Sequence, residues 1–394
     1  MNNVLVVGGD HYNTLWLIRS LGMGGFRVIA VIISPDSLRS FVCKSRYCKE
    51  SYIVNDFDEM IHLLCNLSFD CKVPIFTNGD AVAVALDESY DLLSQKYILH
   101  HCNHQQGAIK YWMDKSKMLA LAKKVGINVP YSVSVDLNID SLNYEAVLYP
   151  CLIKPEISAA ASKKTFRVCY NEKQLKLAIQ ELREGCACKV IIQEFVKRDF
   201  EYLVYGVSTV DDVILPGGLH KVHTCSDVKN LGMTSYAYLS DEIPNQLGSF
   251  ECIRRFVREM GYYGLFSVEF MITSDKAYFL EINLRNDGTC YITTQAGVNI
   301  PSLWAASVLG IDTSNKRKSL IHPRTYGMNE VNYLRYTIRS QSLLTSIKEF
   351  FSAKAFSLCK LDDMIPVFSK VFIGIHNVLS KIMGRMFVNN NRGG

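Results

Sequence analysis

The sequence predicts a parallel α/β unit, then α+β units, then a helical C-terminal extension. Three observations carry this expectation. A strand–glycine turn–helix–strand pattern opens the chain, a run of short apolar strands fills its middle, and a basic tail with helical periodicity closes it.

The opening pattern begins with the apolar run Val4–Val7, which ends in Gly8-Gly9-Asp10. Leu15, Leu17, Ile18 and Leu21 follow at helical spacing, Gly22 and Gly24-Gly25 close that helix, and Arg27–Ile33 is a second apolar strand. Ser51–Val54, a helix near Phe57–Leu67, and Val73–Phe76 ending in Thr77-Asn78-Gly79-Asp80 continue the alternation, so the first hundred or so residues read as one doubly wound domain. Asp114–Gly126 reads as a helix with a glycine stop, ended by Val129-Pro130. Beyond it Tyr149–Lys154, Phe166–Tyr170, Lys189–Phe195, Glu201–Val207, Ala237–Leu239, Leu265–Ile272 and Ala277–Ile282 read as strands, with helices near Glu172–Glu184 and Phe250–Met260 between them. The tail holds one helix over Ser342–Leu358 and another after Pro366, with Val367, Val371, Ile375, Leu379, Ile382 and Met386 on one side and Lys370, Asn377, Lys381 and Arg385 on the other.

Composition narrows the function. The 394 residues are 48% hydrophobic and 21% charged, ordinary globular material for two or three packed units. The net charge of +5 is concentrated after residue 330, where nine Lys/Arg face three acidic residues. The body is therefore close to neutral, which argues against a nucleic-acid partner. Thirteen scattered Cys, no apolar run of spanning length and an N-terminus without a basic, apolar leader predict a cytoplasmic protein with reduced thiols.

The chemistry concentrates on two neighbouring strands. Glu281 and Asn283 are two apart and share a strand face, and the short turn Thr273–Lys276 folds Glu269 beside them. These are either solvated acids on an exposed hairpin or an all-oxygen site suited to Mg²⁺, with Mn²⁺ as an alternative ion. Both acids interrupt apolar strands, where an unpaired carboxylate is costly, and this favours the metal reading. Lys154 ends the apolar strand Leu152-Ile153-Lys154-Pro155, and the loop Ser158–Thr165 after it offers small residues, Ser162 among its hydroxyls, Lys163-Lys164, and backbone amides that could surround phosphates. Gln193-Glu194-Phe195-Val196 followed by Glu201 could read an adenine by backbone groups and hold ribose hydroxyls by the acid.

In order and spacing these residues resemble the ATP-grasp superfamily from about Met1 to Gly310. The resemblance implies an ATP-grasp fold with a Rossmann-like pre-ATP-grasp domain over residues 1–110, an N-lobe with lid and phosphate loop over 111–200, a C-lobe with the metal and substrate site over 201–330, and a basic helical extension over 331–394. It makes Lys115 and Lys154 the nucleotide lysines, with Ser162 in the phosphate loop. Gln193, Glu194, Phe195 and Val196 become the adenine hinge and Glu201 the ribose acid. Glu269, Glu281 and Asn283 become the metal ligands, and Arg285 and Lys221 the groups that stabilise the transferring phosphoryl. His223 stands where related ligases carry an arginine two residues after the lysine. His223 and the turn Asn286-Asp287-Gly288-Thr289 are the candidate substrate residues.

The implied reaction is activation of a carboxylate by ATP to an acyl-phosphate, followed by attack of an amine or another nucleophile, with release of ADP and phosphate. The phosphate loop departs from the family pattern, because Ser158-Ala159-Ala160-Ala161-Ser162 has no glycine. An ATP-binding protein without ligase turnover is therefore the alternative reading. Among carboxylate–amine ligases the chain is similar to the D-aspartate ligase and carbamoyl-phosphate synthase large-subunit type. Asp363-Met364-Ile365-Pro366 resembles an element of envelope ligases, which implies an amino acid joined to a cell-envelope or polysaccharide precursor, with a homodimer as the common assembly. The helix after Pro366 either docks on the body or lies on an anionic membrane at its inner face. His100-His101-Cys102-Asn103-His104 reads as an interdomain loop in preference to a zinc site, since adjacent residues cannot all face one ion. The G-x-G-x-x-G spacing of a dinucleotide site is absent after the first strand.

Overall fold

The computed structural model describes residues 2–34, 39–138, 142–156, 166–184, 189–225, 233–312, 324–340 and 343–374. The first sheet holds β1 (Asn3–Gly9), β2 (Arg27–Ile33), β3 (Cys48–Val54), β4 (Val73–Thr77) and β5 (Tyr97–Ile98), all parallel, in the order β3-β2-β1-β4-β5. The interiors of β1 and β2 are buried on both faces, which is why they read as unbroken apolar runs. The strand order reverses between β1 and β4. Their carboxyl ends launch the helices Tyr12–Met23 and Asp80–Glu88 on either side of that crevice, the place where open parallel sheets bind ligands.

The short β6 (His101–Cys102) leaves this domain. Next come β7 (Ser132–Asp136), β8 (Cys151–Pro155), β9 (Arg167–Cys169) and β10 (Lys189–Glu194), an antiparallel sheet in the order β7-β10-β8-β9. One face is covered by the helix Glu172–Glu184 through Leu175, Ala178, Ile179 and Leu182, a single stripe at i, i+3, i+4, i+7. The third and largest sheet contains β11 (Phe200–Ser208), β12 (Val213–Ile214), β13 (Gly218–Cys225), β14 (Met233–Ser240), β15 (Tyr262–Ile272), β16 (Ala277–Asn283), β17 (Thr325–Met328) and β18 (Ala353–Phe356). Its order is β16-β15-β11-β13-β14-β17-β18, with β12 on β11 and β6 on β15. The first domain and this sheet share one core, in which Leu15, Leu17 and Phe76 pack with Leu203, Tyr205, Leu265 and Trp304.

The extension differs in detail from the sequence expectation. The helix expected over Ser342–Leu358 spans Leu343–Ser352, and the chain then becomes β18, parallel to β17. Ala353 and Ala355 turn inward, and the Glu330 carboxylate accepts the amides of Ser357 (2.8 Å), Leu358 (3.0 Å) and Cys359 (2.8 Å), which ends the segment. Beyond it Asp363 is buried against Arg19 of the first domain, Nε to Oδ2 at 2.9 Å with side chains 1% and 0% exposed. A helix covers 365–374; the rest of the segment read as amphipathic after Pro366 lies outside the described residues.

Gly218 lies against Tyr202, and a Cβ there would collide with the tyrosine Cζ and its hydroxyl oxygen. Gly218→Ala is expected to cost about 1–3 kcal/mol, as overpacked sites do. Gly9→Ala, whose Cβ would meet nothing within 4 Å, is expected to stay within about 0.5 kcal/mol. Urea midpoints of the two variants against the parent check the pair.

Candidate active site

The three sheets meet at a cleft of about 610 Å³. Its upper wall is the free face of the β7–β10 sheet, its floor is β11, β13, β15 and β16, and its end wall is the crevice of the first domain.

Alternation aims Lys154 into this space. On β8 Cys151 and Ile153 go to the lobe core, while Leu152 and Lys154 go to the cleft. Lys154 is 4% exposed, and its Nζ donates to Gln193 Oε1 of neighbouring β10 at 3.0 Å. Burial first and the charge of Lys115 second draw its pKa from 10.5 to about 8. Lys115 opens the helix Lys115–Lys124, whose start is fixed by Asp114. That carboxylate accepts the amides of Ser116 (2.9 Å) and Lys117 (3.3 Å). The Lys115 ammonium lies 5.1 Å from the centroid of the Phe166 ring.

Across the cleft Glu269 and Glu281 are partners in the β15–β16 register. Enclosure by protein first and the charge of Glu269 second push the Glu281 carboxyl above its ordinary pKa, while Lys115 and Lys154 pull the other way. Two lysines and two carboxylates thus form one electrostatic neighbourhood. Lys221 on β13 bridges Glu201 Oε2 (2.9 Å) and Glu269 Oε2 (2.8 Å). Burial alone would discharge it, but the two carboxylates outweigh burial and hold its pKa well above 10.5. Arg198 pairs with the other oxygen of Glu201 at 2.8 Å. Arg285 donates from Nε to Asp80 Oδ1 (2.6 Å), from Nη1 to the Asn286 carbonyl (3.2 Å) and from Nη2 to Asn283 Oδ1 (3.1 Å).

Of the residues singled out by sequence, Lys115, Lys154, Gln193, Glu194, Phe195, Val196, Glu201, Lys221, Glu269, Glu281, Asn283, Arg285, Asp287, Gly288 and Thr289 line this one cleft. Within the expected adenine hinge, the amides of Glu194 and Phe195 already donate to the carbonyls of Tyr131 (2.8 Å) and Pro150 (3.0 Å). The Asp287 carboxylate accepts the Thr289 amide (2.8 Å) and hydroxyl (2.5 Å) and the Ser267 hydroxyl (3.1 Å), so it holds the turn.

Two candidates are not brought to the cleft. Asn286 is fully buried and accepts the Tyr205 hydroxyl at 2.6 Å. His223 faces the extension, with Nε2 2.9 Å from Glu349 Oε1 and its ring 4.4 Å from that of Tyr336. On an even strand it would share a face with Lys221, but the register against β14 slips between them. Ser162 lies outside the described residues. Residues that the sequence reading passed over also line the cleft: Arg198, Asp80, Tyr12, Asn13, Trp16 and Asn329. Asp80 had a readable signal, standing with Asn78 and Gly79 just beyond an apolar strand next to the switch point.

The family described as "ATP-grasp in the biosynthetic pathway with Ter operon" matches residues 232–330. Among solved structures, N5-carboxyaminoimidazole synthetase from Staphylococcus aureus, complexed with ADP, superposes with a TM-score of 0.63 at 16% identity, covering 83% of this chain and 82% of that one. The chain carries the ATP-grasp fold. An L-amino acid ligase from Bacillus licheniformis shares this ATP-grasp architecture with a TM-score of 0.58 at 13% identity, over 78% of this chain and 74% of that one. In sequence, the formate-dependent phosphoribosylglycinamide formyltransferase of Shigella boydii serotype 4 (strain Sb227) is 29% identical over 236 residues, 57% of this chain and 56% of that protein. The chain therefore spans little more than half the length of this curated relative.

Burial of Lys154 sets a pH signature in the ATP-grasp cleft. Between about 8 and 10.5 the unfolded chain still holds this proton while the folded chain has released it, so stability rises with pH in that window. The unfolding free energy of the parent relative to Lys154→Met is expected to climb by about 1 kcal/mol per pH unit there. Urea unfolding of both proteins at a series of pH values checks this, and a flat difference counts against a buried ammonium.

Proposed function

We propose that this chain is an ATP-dependent carboxylate–amine ligase that works through an acyl-phosphate and releases ADP and phosphate. The observation that supports it most is the convergence of Lys115 and Lys154 from one wall on Glu269 and Glu281 from the other, close enough to shift one another's ionisation. Bringing a carboxylate to a triphosphate costs repulsion between like charges, and this cleft supplies the opposing charges from a strand, Lys154, and a helix, Lys115.

The donor chemistry suits a hard divalent ion. Glu281 is already destabilised as an anion, by burial first and by facing Glu269 second, and a cation between the two carboxylates would relieve both. Glu269, Glu281 and Asn283 would hold Mg²⁺, or Mn²⁺ by the same oxygen chemistry, and the ion would neutralise charge on the phosphates. Lys154, steadied by Gln193, and Lys115 hold phosphate oxygens of ATP. Glu201, fixed between Arg198 and Lys221, takes the ribose hydroxyls. Arg285, steered by Asp80, faces the transferring phosphoryl. A carboxylate oxygen of the substrate attacks the γ-phosphorus, and the bond to the bridging oxygen breaks to release ADP. The amine then attacks the acyl carbon, phosphate leaves with the C–O electron pair, and the amine loses its proton to water.

We take the acceptor to be a cell-envelope or polysaccharide precursor presented at an anionic membrane. Three segments of the extension support this reading by leaving apolar faces in solvent, with Ile338 (77% exposed) on the first, Leu344 (81%) and Phe351 (81%) on the second and Phe368 (66%) on the third, in a region rich in Lys and Arg. No helix among the described residues is long and apolar enough to cross a membrane. Pelleting with vesicles of anionic phosphatidylglycerol, but not of phosphatidylcholine, is the expected result. Equal recovery with both vesicles, or a homodimer by light scattering that hides these faces, removes the membrane reading.

The ligase reading is checked by ADP release over a panel of carboxylates with amine acceptors. Glu281→Gln is expected to lower that release by about 100-fold or more, the scale of a lost electrostatic stabiliser. ATP binding with no substrate-stimulated ADP release across the panel would favour a nucleotide-binding protein without turnover.

A further inference from the structure

The end wall of the cleft is the first turn of the helix Tyr12–Met23, through Tyr12, Asn13 and Trp16. Asn13 packs directly on Gly288, where any Cβ would strike its amide. This helix is held from behind by the extension. The Trp16 indole Nε1 donates to the Phe356 carbonyl at 2.8 Å. One turn on, Arg19 is fully buried, bonds the Asp363 carboxylate (2.9 Å) and carbonyl (3.1 Å), and donates to the Leu358 carbonyl (2.8 Å). Asp363 in turn accepts the Ser45 hydroxyl (2.7 Å) and the Arg46 amide (2.8 Å), so it ties the helix to the loop before β3.

Tyr12, Trp16 and Arg19 succeed one another at i, i+4 and i+7, a single row on one helix face. The same extension places β18 beside β17, whose end Gly327–Asn329 lines the same end of the cleft, with the Asn329 side chain next to the Tyr12 hydroxyl. The extension therefore braces this end wall through two elements, the helix and β17. A buried guanidinium depends on its carboxylate far more than an exposed one does, which makes Asp363 the point on which the brace turns.

We propose that the segment 353–363 positions the end of the cleft formed by the candidate substrate turn Asp287-Gly288-Thr289, which we take as the place of the amine acceptor. Asp363 is a positioning residue, acting through Arg19 and Trp16 to hold Asn13 against Gly288 and Tyr12 at the cleft wall. The inference rests on the ligase reading for its kinetic consequence and not for its structural one.

The test compares Asp363→Asn, which keeps shape and removes charge, with Asp363→Glu and Trp16→Phe. Hydrogen exchange over residues 11–19 is expected to rise about tenfold in Asp363→Asn, with the helix Phe57–Asn66 of the same domain unchanged. In the ligase assay KM for the amine is expected to rise about tenfold, with kcat and the KM for ATP within about twofold, and Asp363→Glu recovers part of the loss. Trp16→Phe removes one bond and keeps a ring, so it shows the same exchange change in smaller degree should Asp363→Asn fail to fold. Unchanged exchange at 11–19, or an equal rise across Phe57–Asn66, overturns the brace. Absence of turnover with every acceptor overturns the ligase reading alone, because the exchange measurement still decides the positioning role.

Discussion

The cleft rests on a balance between carboxylates that repel one another and cations that hold them together. Glu269 and Glu281 are brought opposite by the pairing of β15 with β16, a backbone constraint neither side chain can escape. Lys221 offsets one of them directly, and Lys115 and Lys154 act on the other across the open space. The second ring of partners is equally particular: Gln193 for Lys154, Arg198 for Glu201, Asp80 for Arg285. Lys115, Lys154 and Lys221 are placed by a helix and two strands, and such preorganised charge is what an electrostatic catalyst requires.

What the sequence made legible follows from strand geometry. Residues two apart on a strand share a face, so Glu281 and Asn283 could be assigned to one surface before any fold was known, whereas Lys154 ending an apolar run joined them only through the family resemblance. The apolar runs of β1 and β2 were equally plain, because parallel strands are buried on both sides. Helix Glu172–Glu184 declared itself by its stripe. Positions that depend on remote packing were not readable. Asn13 and Asn329 reach the cleft from segments some three hundred residues apart, and no local pattern marks them. His223 fails for a different reason, since a register slip of the kind seen in β13 leaves no trace in composition. β18 was hidden inside a stretch with good helix formers, where tertiary pairing with β17 overrides local preference.

The extension belongs to the architecture more deeply than its place at the end of the chain suggests. Its residues add a strand to the large sheet, give His223 a partner in Glu349, and bury an ion pair against the first domain. An isolated buried pair is seldom a source of net stability, whereas it is an effective way to fix one arrangement among several. Here it fixes the far end of the chain to one of the first helices made.

The distribution of apolar packing has a mechanical consequence. The first domain and the large sheet are welded by a common interior, while the β7–β10 sheet keeps its own, and of its buried strand residues only Ile191 joins the neighbouring cluster of Tyr202, Val204 and Phe270. Among the described residues, a rotation of that sheet about Ile191 therefore disturbs few contacts between buried apolar clusters, whereas separating the other two bodies tears one continuous interior. Motion in this molecule accordingly has a cheap direction, and it swings Lys154 and Gln193 like a jaw over an anvil that carries Glu269 and Glu281.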